Sequence, residues 1–520
     1  MRSRAAEPRQ LSPLHIFPII FVIIFLLHAP LLRLPFFWDE AGFYVPAAYD
    51  LVHSHTLVPT TTMDTGHPPL PAAYLAFWFT LNGWKPAVAR IAQLLLAAFA
   101  LTNVFFLARR LVGTGVAVAS TVGTALYSIF FVQSSLAHAD LAAAAFTLWG
   151  IRLSVEKYQW RSQLAFSLAV LSKETAIITP LALALWQLVD RNHGSVKGRL
   201  STSCIYLAPL LPLFGWLGYH HHVTGRFFGS ASFYQYNVTQ AITPVRFVLA
   251  LGLRFWHLFG TMNMLALTAA TGAAMMFPPV IDAAGERQRI AIPVQLQFAL
   301  IMLAHLVTFS LVGGALLTRY LLPAYPLVII LGMSTLHRRI ASWEWPAAVM
   351  VIFFVLALFF DPPYRIAPED NLTYRDFIQL HATAANFLEQ HEHDQVVLTA
   401  WPATDELTKP YLGYVKKPFP VVQVPDFTLE ETLRARTLKS KYQVAYLFST
   451  KYEGSSWFHS VFWDRLNERY FDYHRDLSPE SAAQLLGGKV VYLARNKAEW
   501  VEIIEMDQPG SYALAHELKQ

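Results

Sequence analysis

Long apolar runs fill residues 1–361, whereas residues 362–520 show shorter segments with mixed polarity. Runs of spanning length cover residues 14–34, 88–108, 114–132, 141–157, 176–190, 203–220, 264–280, 293–314, 321–337 and 345–361, and a shorter one precedes Lys173. A hydrocarbon layer of roughly 30 Å needs about 20 apolar helical residues, so the pattern predicts about eleven transmembrane helices. The run at 68–82 is short and bounded by prolines, and counting it as a crossing would invert every later segment. If it lies flat in the outer interface, Arg109-Arg110, Lys157/Arg161, Arg191/Lys197/Arg199, Arg287/Arg289 and Arg338-Arg339 all share the side of the N-terminus. The positive-inside bias makes that side cytoplasmic, and an odd number of crossings then leaves residues 362–520 outside. Arg2, Arg4 and Arg9 precede the first run, which ends without a small-residue cleavage pattern, so it reads as a retained anchor.

The outer part alternates helix-like segments, 374–391 and 429–441, with strand-like ones at 396–400, 421–424, 444–448 and 490–495. That order predicts a small α/β module. The fold expected is therefore a polytopic α-helical membrane domain over 1–361 followed by an extracytoplasmic soluble α/β domain over 362–520. No glycine-rich phosphate loop, internal repeat or low-complexity tract is present, and nucleic acid is not an expected partner.

Composition supports the division. The chain is 54% hydrophobic and 14% charged, against about 25% charged for an ordinary soluble protein. Residues 1–361 hold 23 Lys+Arg against 13 Asp+Glu, and residues 362–520 hold 17 against 22. The lone Cys204 excludes an intrachain disulfide and a cysteine-based zinc cage.

With the sidedness fixed, Asp39, Glu40, Asp50, Asp64, Asp140, Glu174 and Asp361 fall on or near the outer face. Ionisable groups at membrane depth are costly and mark substrate or ion sites. Phe36-Phe37-Trp38-Asp39-Glu40 puts two carboxylates at the exit of the first span, as general base, metal ligand or simply a helix N-cap. Asp64-Thr65-Gly66-His67-Pro68-Pro69-Leu70 is a stiff turn that delivers His67 to the same surface. His138-Ala139-Asp140 opens the Ala-rich fourth span, where Asp140 either caps the helix or joins His138 and the Asp39-Glu40 pair in a divalent metal site. Lys173 and Glu174 occupy an outer turn, and Arg319-Tyr320 starts a later span; either cation snorkels to headgroups or binds phosphate. His220-His221-His222 points three ways on a helix and is not expected to hold a metal. Trp401, Trp457 and Trp463 either stack on sugars or pack a core.

The ordered set Asp39-Glu40, Gly66-His67-Pro68-Pro69-Leu70, His138-Ala139-Asp140, Ser172-Lys173-Glu174 and Arg319-Tyr320-Leu321-Leu322-Pro323 resembles the GT-C class of integral membrane glycosyltransferases. It looks closest to family 39, the protein O-mannosyltransferases and lipid A aminoarabinose transferases. The resemblance implies a GT-C fold, a polyprenyl-phosphate sugar donor, an outward-facing cavity and inverting transfer to a lipid, glycan or protein acceptor. It makes Asp39 the general base, with Glu40 supporting it or helping to hold a metal. His138 and Asp140 become the holders of a divalent cation of unspecified identity, and His67, Lys173, Glu174, Arg319 and Tyr320 become substrate contacts. His67 departs from the lysine that many relatives place before the paired prolines. A transporter or flippase for an amphipathic lipid-linked substrate is the alternative, and a silent membrane scaffold with a ligand-binding outer module is a third reading.

Overall fold

The computed structural model describes residues 12–190, 195–238, 243–283, 285–312, 314–392, 395–453, 461–471 and 473–506. Arg2, Arg4, Arg9, Arg191 and Trp457 lie outside the described residues.

The membrane part runs α1 (Pro13–His28), α2 (Val45–His53), α3 (Leu70–Asn82), α4 (Pro86–Leu111), α5 (Thr114–Leu126), α6 (Ser128–Gln133), α7 (Ala139–Val155), α8 (Gln159–Ser172) and α9 (Ile178–Val189). It continues with α10 (Val196–Ile205), α11 (Leu210–Thr224), α12 (Ala231–Asn237), α13 (Pro244–Phe259) and α14 (Met264–Ala274). A hairpin of β1 (Ile281–Asp282) and β2 (Gly285–Glu286) precedes α15 (Ile292–Leu311), α16 (Tyr325–Arg339) and α17 (Glu344–Phe359). Every expected apolar run contains a helix. Among the described residues, three of these are long and apolar enough to cross a membrane, or four if α10 and α11 form one span bent by 41°. The others are interrupted: Tyr127 adopts an extended conformation between α5 and α6, and 3-10 turns precede α9 and α16.

Two ends of the bundle are distinguishable by contacts. At one, Gln288 donates to the Leu111 carbonyl at 3.0 Å and Arg338 to the Arg287 carbonyl at 3.1 Å, which gathers three of the basic clusters. The acidic motifs and the C-terminal module gather at the other. Helix α3 begins and ends there. Trp216 bonds the Gly66 carbonyl at 3.0 Å just before it, and Trp84 just after it stacks on Phe79 and meets Tyr411 of the module. Segment 70–82 thus does not traverse the bundle.

Helix α13 was not expected, because Arg246 and Arg254 interrupt its apolar run. It is an amphipathic helix with those two cations buried on one side and Val245, Val248 and Phe255 exposed on the other. Arg246 reaches the Gly314 carbonyl at 3.2 Å near its start, and the Met262 amide beyond its end bonds the Tyr364 hydroxyl at 2.8 Å. Both ends therefore belong to the acidic end of the bundle, and the order of later crossings is preserved.

The C-terminal module comprises α18 (Thr373–His391), β3 (Val397–Ala400), α19 (Ala403–Thr408), β4 (Val421–Val424), α20 (Leu429–Thr437), β5 (Val444–Phe448), α21 (Val461–Phe471), α22 (Pro479–Leu486), β6 (Gly488–Asn496) and β7 (Glu499–Met506). Its sheet has the order β4-β3-β5-β7-β6, parallel where β3 pairs with β4 and β5, antiparallel where β7 pairs with β5 and β6. The expected α/β alternation holds, and the unexpected strand is β7. Glu499, Glu502 and Glu505 mask its apolar positions in sequence, yet Val501, Ile503 and Ile504 are buried. The module is packed into the membrane part without a seam: Phe36, Phe37, Ala41 and Val45 belong to the same apolar cluster as Phe377, Leu398 and Phe448.

Glu499 and Glu502 are buried, and neither oxygen of either carboxyl has a hydrogen-bond partner among the described residues. Burial pushes their carboxyls up to about 9 and about 8. A carboxyl with a raised folded-state pKa contributes most below its ordinary value, and that contribution is lost as pH rises through the folded value. Thermal unfolding of the purified protein is expected at lower temperature at pH 9 than at pH 5, and Glu499→Gln should reduce the difference.

Candidate active site

The centre is Arg319, buried in the 3-10 turn Thr318–Leu321 between α15 and α16. Its Nη2 donates to Asp39 Oδ2 and its Nη1 to Glu369 Oε1, and its Nε lies 3.4 Å from Asp140 Oδ2. Asp140 Oδ1 in turn accepts from Lys173 Nζ at 2.7 Å, and that ammonium sits 4.3 Å over the Tyr320 ring. Asp39 at the exit of α1 and Asp140 in the first turn of α7 are thus neighbours across one guanidinium. Three carboxylates share two cations here. Glu369 is pushed up to about 7, chiefly by burial, with Asp39 adding to the rise and Arg319 opposing it.

Asp39 is aimed by its surroundings. Trp38 takes a left-handed backbone conformation, φ 39°, which is strained for a bulky residue and persists only where packing holds it. Its ring is gripped by Phe377 at 5.3 Å and Trp401 at 5.4 Å, both from the C-terminal module. Gly42 is required one turn later, since a Cβ there would come within 2.4 Å of the Trp401 indole. Trp401 is thereby a packing residue.

Glu40, expected to share the catalytic work, is turned to architecture. It is fully buried, pairs with Arg90, and accepts from the Phe37 amide at 2.7 Å and from the Ala137 amide. Arg90 also donates to the Ser135 and Pro35 carbonyls at 2.9 and 3.0 Å. This pair ties the exit of α1 to α4 and to the turn before α7, which brings Asp39 and Asp140 to one place. Asp50 accepts from the Thr60 and Thr61 amides at 2.6 and 2.8 Å, and Asp361 from Asn371 at 2.8 Å, so both close loops.

Next to this cluster opens a cleft of about 730 Å³, its mouth included, between the 65–67 strap, the 173–175 turn, α12 and the end of α15. Lys173 and Tyr320 line it and connect it to the Arg319 cluster; His67 and Glu174 face each other across 2.8 Å on its wall. The remaining wall is largely apolar, with Leu217, Phe228, Phe233 and Phe309. The strap is held by Asp64, which accepts from His220 Nε2 at 3.0 Å and from the Gly66 amide at 2.9 Å. Only His220 of the three consecutive histidines is buried, as helical geometry requires. Gly66 has φ 71° and packs so closely on Gly229 that a Cβ would meet its nitrogen at 2.4 Å.

Three contributors escaped the sequence reading. Glu369 follows the last apolar run closely, but a boundary at 361 assigns it to the hydrated part. Arg254 is buried with its Cζ 5.4 Å from the Tyr320 ring; Nη1 donates to the Leu317 carbonyl at 2.6 Å, while Nε and Nη2 have no partner among the described residues. It lay in the run those cations had disguised. Tyr44 packs between His67 and His138, at ring distances of 6.4 and 5.9 Å.

The donor set at His138 and Asp140 does not fit a divalent cation. Asp140 is already held by Lys173 and flanked by Arg319, and His138 spends Nδ1 on Gln133 at 2.9 Å, leaving a single unpartnered nitrogen. Among the described residues no three His, Cys, Asp or Glu side chains converge as a ligand group.

A family model described as dolichyl-phosphate-mannose-protein mannosyltransferase matches residues 66–216, a stretch that includes His67, Asp140 and Lys173. The crystal structure of ArnT from Cupriavidus metallidurans in the apo state is similar to this chain with a TM-score of 0.57 at 14% identity, covering 95% of this chain and 98% of that one. The same protein bound to undecaprenyl phosphate gives 0.54 at 15% identity, covering 94% and 97%. The chain has the GT-C glycosyltransferase fold. That fold, shared along nearly the whole of both chains, and its apolar helices make it an integral membrane protein. No curated protein sequence matches it.

Because burial pushes Glu369 up to about 7 beside Arg319, protonating it below that pH leaves the guanidinium to Asp39 and Asp140 alone. Any turnover depending on Asp39 is expected to rise as pH increases through about 7. In Glu369→Gln the profile should be flat there and stay near the low-pH level.

Proposed function

We propose that this protein transfers a hexosyl or pentosyl group from a polyprenyl-phosphate-linked donor to a lipid, glycan or protein acceptor on the outer face of the membrane. The observation that carries the reading is the convergence of Asp39 and Asp140 on Arg319 at the edge of a cleft that is apolar along one wall and lined by the Lys173 ammonium at its inner end. The mannosyltransferase family match and the likeness to ArnT, a protein crystallised with undecaprenyl phosphate, support the same class of donor.

In this reading the prenyl chain lies against Phe228, Phe233 and Phe309, and its phosphate lies toward Lys173, His67 and Tyr320, with Arg254 behind the tyrosine. Asp39, 17% exposed at its side chain, takes the proton of the acceptor hydroxyl. The hydroxyl oxygen forms a bond to the anomeric carbon as the bond from that carbon to the phosphate oxygen breaks, and the electron pair leaves with the phosphate. Attack opposite the leaving group inverts the anomeric centre. A phosphate needs positive charge more than a proton when it departs, and preorganised cations supply that at no cost in reorganisation. Lys173, which lines the cleft, is such a cation, and this reading assigns no step to a divalent ion. The transporter alternative is not favoured. Transporters place ionisable groups at the bilayer midplane on broken helices, whereas here they gather at one end of the bundle.

Two measurements test this. Asp39→Asn, which keeps the hydrogen-bonding shape beside Arg319, is expected to cut sugar transfer from a polyprenyl-phosphate donor by about 10²–10⁴-fold in protein that is still folded at the assay temperature; full activity in that variant would remove Asp39 as the base. Transfer by the purified enzyme should persist undiminished in excess EDTA, and a loss restored by a divalent cation would overturn the metal-independent mechanism.

A further inference from the structure

Helix α21 stands outside the proposed chemistry, yet its placement is informative. Its charges, Asp464, Arg465, Glu468 and Arg469, cancel. Two points pin it. Asp464 pairs with Arg365 at 2.8 Å, a few residues beyond the end of α17. Near its other end the Tyr470 carbonyl accepts from Arg246 Nε at 3.1 Å, and the same guanidinium lies 5.5 Å from the Phe471 ring. Arg246 belongs to the first turn of α13, and Tyr364, next to Arg365, packs its ring 5.5 Å from Trp256 near the end of α13. From residue 464 to residue 470 a helix advances about 9 Å. Helix α21 is therefore laid beside α13 at the level where the last apolar helix ends, not projecting into solvent.

Its beginning is strongly apolar and exposed: Val461, Phe462 and Trp463 are 66%, 63% and 54% exposed. On the neighbouring α13, Val245, Val248 and Phe255 are also exposed, on the side away from buried Arg246 and Arg254. In an integral membrane protein such a face meets lipid. The two surfaces adjoin through Arg246, and Phe and Trp are side chains suited to the boundary between headgroups and acyl chains.

We infer that α21 is an interfacial helix whose Val461-Phe462-Trp463 end is seated in the outer-leaflet lipid, anchoring the α/β module beside the cleft. The occupant is a lipid surface and the attraction is apolar, since the helix carries no net charge for anionic headgroups to hold. The anchor stands near the cleft mouth: Arg246 also bonds the Gly314 carbonyl, Gly314 abuts the Tyr236 carbonyl, and Asn237 and Val238 line the cleft. A lipid-borne substrate would enter next to this helix. The inference does not depend on the transferase reading, and its test needs no turnover.

The test uses the full-length protein in phosphatidylcholine vesicles with Cys204→Ser as background. Nitroxide labels are placed singly at Phe462→Cys, at Glu468→Cys and, as a lipid-facing reference, at Val248→Cys. Collision with oxygen, which partitions into lipid, and with a water-soluble nickel chelate is then compared. The expected result is that the label at 462 matches that at 248, with oxygen favoured several-fold over nickel, while the label at 468 shows the reverse. A label at 462 that behaves like the one at 468 would overturn the inference. So would one shielded from both reagents, which would indicate a protein partner or a second copy covering this face.

Discussion

One buried guanidinium holds the architecture of the site together. Arg319 meets Asp39 from the exit of the first helix, Asp140 from the start of α7 and Glu369 from the linker into the C-terminal module. Charges this deeply buried are tolerated only in mutual company, and removing one partner from such a cluster typically costs about 3–5 kcal/mol. The consequence is geometric: three distant segments cannot drift apart without stranding a charge. The neighbouring pair of Glu40 and Arg90 repeats the device one layer away, with a buried carboxylate and guanidinium closing the turn that carries Asp39.

The helical part and the C-terminal α/β module differ in architecture but share one packed core. The module's Trp401 and Phe377 clamp the strained Trp38, its linker supplies Glu369, and its Tyr414 hydroxyl donates to the Phe36 carbonyl at 2.9 Å. Asp39 is thus presented from above by the module and from below by the helices. Removing the module would leave Trp38 without the contacts that hold its left-handed backbone and Arg319 without one of its three carboxylates.

The cleft shows a second division of labour. Its apolar wall is assembled from α11, a loop, α12 and the end of α15, whereas its charged end is fixed by the ion network. The Asp64–His220 contact and the close approach of Gly66 to Gly229 keep the strap bearing His67 against α11.

The apolar periodicity alone determined the helical membrane architecture and the strand–helix alternation of the module, because each depends on patterns local to a few turns. The basic clusters determined the common end shared by Asp39, Asp64, Asp140 and Glu174, because sidedness follows from charge counted along the chain. Only the tertiary structure decided which of these acids reach the same guanidinium. Asp39 and Glu40 are adjacent in sequence and alike in chemistry, yet one faces Arg319 and the other Arg90, a choice made by the turn of backbone that the module's aromatic rings enforce. Glu369, Arg254 and strand β7 were hidden for a related reason: a charge inside an apolar pattern reads as solvent until a partner or a cover, supplied by a segment far away in the chain, makes its burial possible.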